Sequence, residues 1–182
     1  HGVVKSGLGQ LMCGINDALA TTLAACGDVN RNVMAPPTPA RNGLAARVLK
    51  DSKLVAAALL PRTKAYHQIW VEGVKLKLDD SDYEDPLYGK TYLPRKFKVG
   101  FATPPHNDTD VLTNCLGFVA IEENGELAGY NLTAGGGMGM THNNAKTYPR
   151  VADVIGFFTP EHIETVAKAV LTVHRDFGDR TD

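Results

Sequence analysis

The segment "GFVAIEENGELAGYNLTA" at residues 117–134 predicts a β-hairpin. Strand-forming residues lie on both sides of Asn124–Gly125, a dipeptide that accepts the positive φ angles of a type I′ turn. Upstream, "RKFKVGFAT" at 95–103 has the alternation of a strand and is followed by Pro104–Pro105. We therefore expect a sheet in which neighbouring strands are mostly joined by hairpins.

Three helices are predicted around this sheet. Apolar residues recur at helical spacing over 6–24 and over about 41–60, and a third helix begins near Thr159, with Pro160 in its first turn. The expected buried faces are, in order, Leu8, Leu11, Met12, Ile15, Leu19 and Leu23; Leu44, Val48, Val55 and Leu59; and Ile163, Val166, Ala167, Val170 and Phe177.

The remaining segments complete the expected fold. Residues 65–78 predict a strand pair that turns at Glu72–Gly73, and three prolines near the end of 25–39 predict an irregular segment there. The mixture of helices with hairpin-linked strands favours an α+β fold with a mixed, largely antiparallel sheet and packed helices.

Composition limits the possible functions. Of the 182 residues, 43% are hydrophobic and 21% charged, and the formal net charge is −1, so the protein is not built to coat nucleic acid. No apolar run reaches the roughly 20 residues of a membrane span. Three widely spaced cysteines form neither a CxxC pair nor a disulfide framework, which favours a reducing, cytoplasmic location. Because the chain begins at His1 and stops directly after a strong helix, we expect a fragment of a longer protein.

Two lysines in the 95–103 strand are the first candidate site. In a strand, Lys96 and Lys98 share one face, about 7 Å apart at the backbone, while Phe97, Val99 and Phe101 share the other. Like charges this close require solvent or an anion between them. Two interpretations stay open at this point: a solvated lysine face of an edge strand, or an anion-binding surface.

Two further segments could share such an anion. Arg31 lies between Asn30 and Asn32, and its guanidinium has five donors suited to an oxyanion, although a locally capped turn is equally consistent. "AGGGMGM" at 134–140 allows a close approach of backbone to a ligand, or is a flexible loop. The segment matches no nucleotide-binding motif, and the sequence contains neither HExxH nor GxSxG. The residues alone do not identify the ligand.

Five segments, in order, closely resemble the assimilatory sulfite reductase hemoproteins, a branch of the siroheme-containing and 4Fe–4S-containing sulfite/nitrite reductase family. They are "HGVVK", "ACGDVNRNVMAP", "LPRKFKVGFATPPHNDTDVLTN", "ENGELAGYNLTAGGGMGMTHNN" and "VHRDFGDRTD". The "LPRKFK" form is similar to the sulfite branch. The resemblance implies one lobe of a sulfite/nitrite reductase core, with residues 1–26 ending a ferredoxin-like half-domain and 27–182 forming an incomplete first siroheme/4Fe–4S domain.

The resemblance also implies roles for individual residues. Arg31, Lys96 and Lys98 would be catalytic: the arginine would bind the sulfite oxygens, and the lysines would bind the anion and supply protons. The cofactor-binding residues would be His1, Asn30, Asn32, Arg95, Gly135, Gly136 and Gly137, with Arg95 at the siroheme carboxylates and the glycines against the macrocycle.

The implied activity is the six-electron reduction of sulfite to hydrogen sulfide at a siroheme coupled to a 4Fe–4S cluster, in sulfate assimilation. The electron donor would be ferredoxin or an NADPH-dependent flavoprotein, and neither nucleic acid nor a membrane would be a partner. Cys13, Cys26 and Cys115 lack the spacing of the family's cluster ligands, so those ligands would lie beyond Asp182 and the chain alone would be inactive. A siroheme nitrite reductase and a non-catalytic tetrapyrrole-binding or anion-binding lobe are the alternatives.

Overall fold

A computed structural model describes residues 2–18, 29–37, 43–62, 70–71, 74–75 and 84–180. The helices are α1 (Leu8–Asp17), α2 (Gly43–Ala58) and α3 (Ile163–Phe177). The strands are β1 (Asn30–Met34), β2 (Trp70–Val71), β3 (Val74–Lys75), β4 (Phe97–Ala102), β5 (Leu116–Glu123), β6 (Glu126–Ala134) and β7 (Asp153–Phe158). No helix in this described part of the chain is both long enough and apolar enough to cross a bilayer.

Five strands form one mixed sheet in the order β1-β4-β5-β6-β7. The β1–β4 and β4–β5 pairings are parallel, and the more extensive β5–β6 and β6–β7 pairings are antiparallel. Asn124 and Gly125 have φ angles of 53° and 83°, which confirms the predicted tight turn between β5 and β6. The predicted α+β class with a mixed sheet is confirmed.

The core lies between this sheet and helices α2 and α3. Phe97, Val99 and Phe101 are buried on the helix-facing side of β4, as the alternation predicts. The predicted face of α2, comprising Leu44, Val48, Val55 and Leu59, is buried in the same cluster. In α3, Ile163, Ala167 and Leu171 are buried, whereas Phe177, predicted to be buried, is 84% exposed.

Three further expectations differ from the structure. The segment 25–39 is not wholly irregular, because residues 30–34 form β1 through parallel pairing with β4. Strand β7 was not predicted; all but its last residue are exposed. In α1, Leu8, Leu11 and Met12 lie 41–49% exposed rather than buried. Of the predicted 65–78 strand pair, the described residues are the antiparallel β2 and β3, and the turn at 72–73 lies outside them, as does the boundary after residue 26.

A buried polar group connects α2 to the sheet. The Asp51 carboxylate, 1% exposed, accepts a hydrogen bond of 2.8 Å from the Tyr130 hydroxyl of β6 and bonds of 3.0 and 3.1 Å from Arg47 Nε. Burial, with the nearby Asp51 charge, raises the pKa of Tyr130, so the phenol remains a donor. Removing Asp51 would leave the buried Tyr130 hydroxyl unsatisfied, and removing the Tyr130 hydroxyl would leave the buried Asp51 carboxylate with Arg47 as its remaining side-chain donor.

Candidate functional site

The predicted site residues converge at one end of the sheet. Since β1, β4 and β5 are parallel, they begin at the same end, and the antiparallel β6 finishes there. Asn30–Asn32 open β1, Arg95 and Lys96 precede β4, and the glycines at 135–137 directly follow β6. Three segments far apart in sequence thus lie at the same end of the sheet.

Arg31 lies directly beside the lysine-bearing strand. In the parallel register Asn30 pairs with Phe97 and Asn32 with Lys98, so Arg31 is the extra residue of an irregularity between these two pairs. Such a bulge redirects side chains locally and is common next to functional sites. Asn32 and Lys98, as register partners, share the sheet face opposite to Phe97 and Val99.

Lys96 and Lys98 are half-buried cations without a counterion among the described residues. Both side chains are of intermediate exposure, and Arg95 beside them is exposed. Among the described residues no carboxylate lies within ion-pair distance of these three side chains, whereas Lys90, Arg150 and Lys168 each have an acidic partner. Placing two ammonium groups in a partly dehydrated position without compensation is unfavourable, so this arrangement favours a bound anion.

The glycine segment contacts the lysine segment through the start of β5. The Gly135 N–H donates to the Cys115 carbonyl at 3.0 Å. The Cys115 thiol lies 3.8 Å from the Lys96 carbonyl oxygen. A side-chain carbon placed on Gly139 would be 3.9 Å from Arg95 Nη2. The expectation that this glycine segment lies near the cationic segment rather than at a remote surface agrees with these contacts.

The three glycines at 135–137 have different environments. Gly135 has a φ of 85°, which side chains rarely tolerate. At Gly136 a Cβ would lie 2.4 Å from the Leu112 carbonyl oxygen and 2.6 Å from that of Asn114, so the absence of a side chain permits close backbone packing. At Gly137 a Cβ would meet no atom within 4 Å. Gly137 is therefore the position where a ligand, rather than the fold, would require glycine.

A cavity of about 300 Å³ lies over these glycines, and some of the residues that line it were not predicted as site residues from the sequence. Its lining includes Lys146, Tyr148 and Arg150 together with the glycines at 135, 136, 137 and 139. The Gly137 N–H donates to the Arg150 carbonyl at 2.8 Å, and the reciprocal bond is 2.7 Å, which fixes Arg150 beside the glycines. The signal was the motif "KTYPR" at 146–150, in which two cations flank an aromatic residue directly after the glycine loop.

A buried polar atom without a hydrogen-bond partner among the described residues lies at the start of β1. The Asn30 amide oxygen is buried and has no hydrogen-bond partner within the described residues. The Asn30 main chain is held, because its N–H donates to the Tyr88 hydroxyl at 3.0 Å, and that hydroxyl donates to the Leu59 carbonyl at 2.6 Å. Asn30, whose register partner Phe97 is buried, therefore carries an unsatisfied buried acceptor at the start of β1.

Metal ligands are not grouped in this part of the protein. Across the described ranges, no three His, Cys, Asp or Glu side chains come together as a metal site. Cys13 is exposed on α1 and Cys115 is half-buried beside Lys96. Cys26 and the cofactor-binding candidate His1 lie outside the described residues.

A family model and the relatives of this chain indicate the same family. Residues 50–182 match the family described as the nitrite and sulphite reductase 4Fe-4S domain. The chain is 52% identical over 182 residues to a protein of Oceanobacillus iheyensis named sulfite reductase [NADPH] hemoprotein beta-component, covering all of this chain and 31% of that protein. A protein of the same name from Geobacillus kaustophilus is 51% identical over 185 residues, covering all of this chain and 32% of the relative.

A solved structure shares the fold. The Mycobacterium tuberculosis NirA protein superposes with a TM-score of 0.61 at 20% sequence identity, over 96% of this chain and 26% of that one. At this identity the match shows the fold alone. The chain spans about a third of the length of the curated relatives that it matches.

Proposed function

Because the chain belongs to the nitrite and sulphite reductase family, we propose that it contributes the anion-binding surface of an enzyme that reduces sulfite to hydrogen sulfide with six electrons. The observation that carries this proposal is the half-buried pair Lys96 and Lys98, without a counterion among the described residues and next to Arg31. Relatives about 50% identical over the whole chain carry the sulfite reductase name, which favours sulfite over nitrite.

The cations have complementary tasks in this reaction. Sulfite carries its charge on three oxygens, and Arg31 offers a planar set of donors that matches two of them. Lys96 and Lys98 add positive charge that favours the anion over water in a partly dehydrated site. Each oxygen leaves as water and requires protons, and an ammonium group hydrogen-bonded to that oxygen is a donor in reach.

Residues at this end of the sheet fit a siroheme. Its eight carboxylates require several cations, and Arg95 and Lys146 lie around the cavity over the glycines, whereas Arg150 in the same lining is already paired with Asp153. The open position of Gly137 leaves room beside the main chain, and the Asn30 amide oxygen is an acceptor without a partner among the described residues. When bound, siroheme supplies an iron centre at which the anion receives electrons. We propose that Asn32, Gly135 and Gly136 line the same ligand, and that His1 is a further contact.

A 4Fe–4S cluster does not fit this chain by itself. Such a cluster is held by four cysteine thiolates, and the sequence contains three cysteines in all. Cys13 and Cys115 lie on an exposed helix and at the start of a central strand, without a third ligand near either among the described residues. We propose that the cluster ligands belong to the remaining two thirds of the length that the relatives have.

The cellular context of the reaction is also proposed. The names of the relatives specify NADPH, which supports an NADPH-dependent flavoprotein rather than ferredoxin as the donor. A cytoplasmic location and a role in sulfate assimilation agree with the absence of a disulfide pattern and with sulfide as the product.

The test uses the protein at the length of its relatives, purified with its cofactors. We expect siroheme absorption bands and stoichiometric sulfide from sulfite with a reduced viologen donor. A higher kcat/KM for nitrite than for sulfite would contradict the sulfite assignment and favour the nitrite reductase alternative. Siroheme binding without turnover of either anion would favour a non-catalytic lobe.

A further inference from the structure

The segment that carries the proposed catalytic lysines is contacted by the last turn of α3 and by the residues that follow this helix. Before β4 the chain makes a turn in which Tyr92, a non-glycine residue, has a φ of 55°. Leu93 is then buried, Arg95 and Lys96 follow, and Phe97 is buried again. Since a left-handed residue with a side chain is unfavourable by itself, this turn requires contacts that hold it.

The Tyr92 N–H donates to the Tyr88 carbonyl at 3.1 Å, and Arg180 supplies further contacts with one guanidinium group. Its Nη2 donates to the Tyr92 carbonyl at 2.6 Å and to the Thr91 hydroxyl at 3.3 Å, and its Nη1 donates to the Thr91 carbonyl at 3.1 Å. Nη2 also donates to the Arg175 carbonyl at 2.9 Å, in the last turn of α3. The planar donor geometry of arginine suits two successive carbonyls and a helix end, whereas the single ammonium of lysine does not.

Two neighbouring contacts show how closely α3 follows the segment. A Cβ on Gly178 would lie 2.5 Å from Pro94 Cγ, so the chain after α3 packs directly on the proline before Arg95. The His174 ring lies 5.5 Å from the Phe97 ring. Displacement of the 91–92 turn would thus be transmitted to Arg95 and Lys96, which lie between Pro94 and Phe97.

We propose that Arg180 is a positioning residue for the anion-binding segment. Its hydrogen bonds go to Thr91, Tyr92 and Arg175, it is not among the residues that line the cavity, and it acts by fixing the main chain of Thr91 and Tyr92. This inference rests on the proposed function, because it assigns Arg180 an effect on sulfite through Lys96.

The test compares Arg180→Gln and Arg180→Lys in the protein at the length of its relatives, loaded with its cofactors. Both variants lose the forked contact, and Arg180→Lys keeps the charge. We expect both to retain the siroheme spectrum while kcat/KM for sulfite falls about tenfold, since a displacement of about 1 Å near a reacting group has large effects on rate. Backbone amide exchange should accelerate within 91–97 and remain unchanged in β5 and β6.

A double-mutant cycle separates positioning through Lys96 from a general structural effect. In a Lys96→Met background, Arg180→Gln should cause little further loss, whereas in a background of the exposed Lys50→Met it should cause the full loss. Equal losses in both backgrounds, unchanged exchange in 91–97, or full rescue by Arg180→Lys would overturn the positioning role. If Lys96→Met itself leaves sulfite reduction intact, the proposed function fails instead, so the two failures are distinguishable.

Discussion

Replacing Gly136 by alanine, with Gly137→Ala as the matched control, separates glycines required by the fold from one required by a ligand. The methyl group of Gly136→Ala would lie 2.4 Å from the Leu112 oxygen, 2.6 Å from the Asn114 oxygen and 3.1 Å from the Asn114 nitrogen. All three atoms are main chain, so the backbone must move by several tenths of an ångström or more. The hydrogen bond from the Gly136 N–H to the Asn114 carbonyl, 3.1 Å long, would be strained or lost.

The expected magnitude follows from these contacts. Overpacking costs roughly 1–3 kcal/mol and the weakened hydrogen bond about 1 kcal/mol, so Gly136→Ala should lower the free energy of unfolding by roughly 2–4 kcal/mol. For a domain of this size the melting temperature should fall by roughly 4–16 °C. Gly137→Ala has no neighbour within 4 Å and should leave the melting temperature within about 2 °C.

Two measurements decide the outcome. Thermal unfolding of the 182-residue chain, followed by circular dichroism, gives the effect on the fold. Siroheme content per protein, measured at the length of the relatives, gives the effect on the ligand, and we expect Gly137→Ala to lower it. Equal melting temperatures of the two variants would exclude the packing role of Gly136, and full siroheme content in Gly137→Ala would exclude the ligand contact at Gly137.

Two further predictions concern buried groups. Tyr130→Phe removes the donor to Asp51 and should lower the free energy of unfolding by roughly 1–3 kcal/mol, while the exposed Tyr148→Phe should change it by less than about 0.5 kcal/mol; equal denaturant midpoints would contradict this. Burial lowers the pKa of His174; a hydrogen bond with the Arg95 main chain partly offsets this shift, and the charge of Arg180 adds to it. Below about pH 6.5 the unfolded chain therefore binds a proton that the folded chain does not. The free energy of unfolding of the wild type should therefore decrease, relative to His174→Gln, as the pH falls from about 7.5 to 5, and parallel pH profiles would exclude this role of His174.

Local patterns predicted the elements whose partners are close in sequence. The β5–β6 hairpin followed from Asn124–Gly125, and the buried stripe of α2 followed from its helical period. Strand β1 was missed because its formation depends on pairing with β4, more than sixty residues away, while nearby prolines dominate the local signal. The apolar stripe of α1 was correctly located in sequence, but periodicity does not specify what contacts a stripe, and its residues are exposed here.

The candidate site was predictable to the extent that it depends on alternation. The two-residue period of a strand predicts a common direction for Lys96 and Lys98, and the burial of Phe97 and Val99 confirms the alternation within β4, which begins directly after Lys96. The cations at 146 and 150 were missed because only the fold brings them over the glycines. The contact of Arg180 with residues 91–92 joins positions 88 and 89 apart in the chain, and no local pattern encodes such a pair.

The role of the lysine pair in binding the anion is tested most directly by the sulfite kinetics of Lys98→Met, measured at the length of the relatives beside the exposed control Lys50→Met. Methionine keeps an apolar stem but removes the charge and the protons. We expect an unchanged siroheme spectrum and a loss of roughly 100-fold in sulfite turnover for Lys98→Met, with wild-type turnover for Lys50→Met. Wild-type turnover of Lys98→Met, or loss of siroheme in parallel with activity, would contradict the assignment of this lysine pair to the anion.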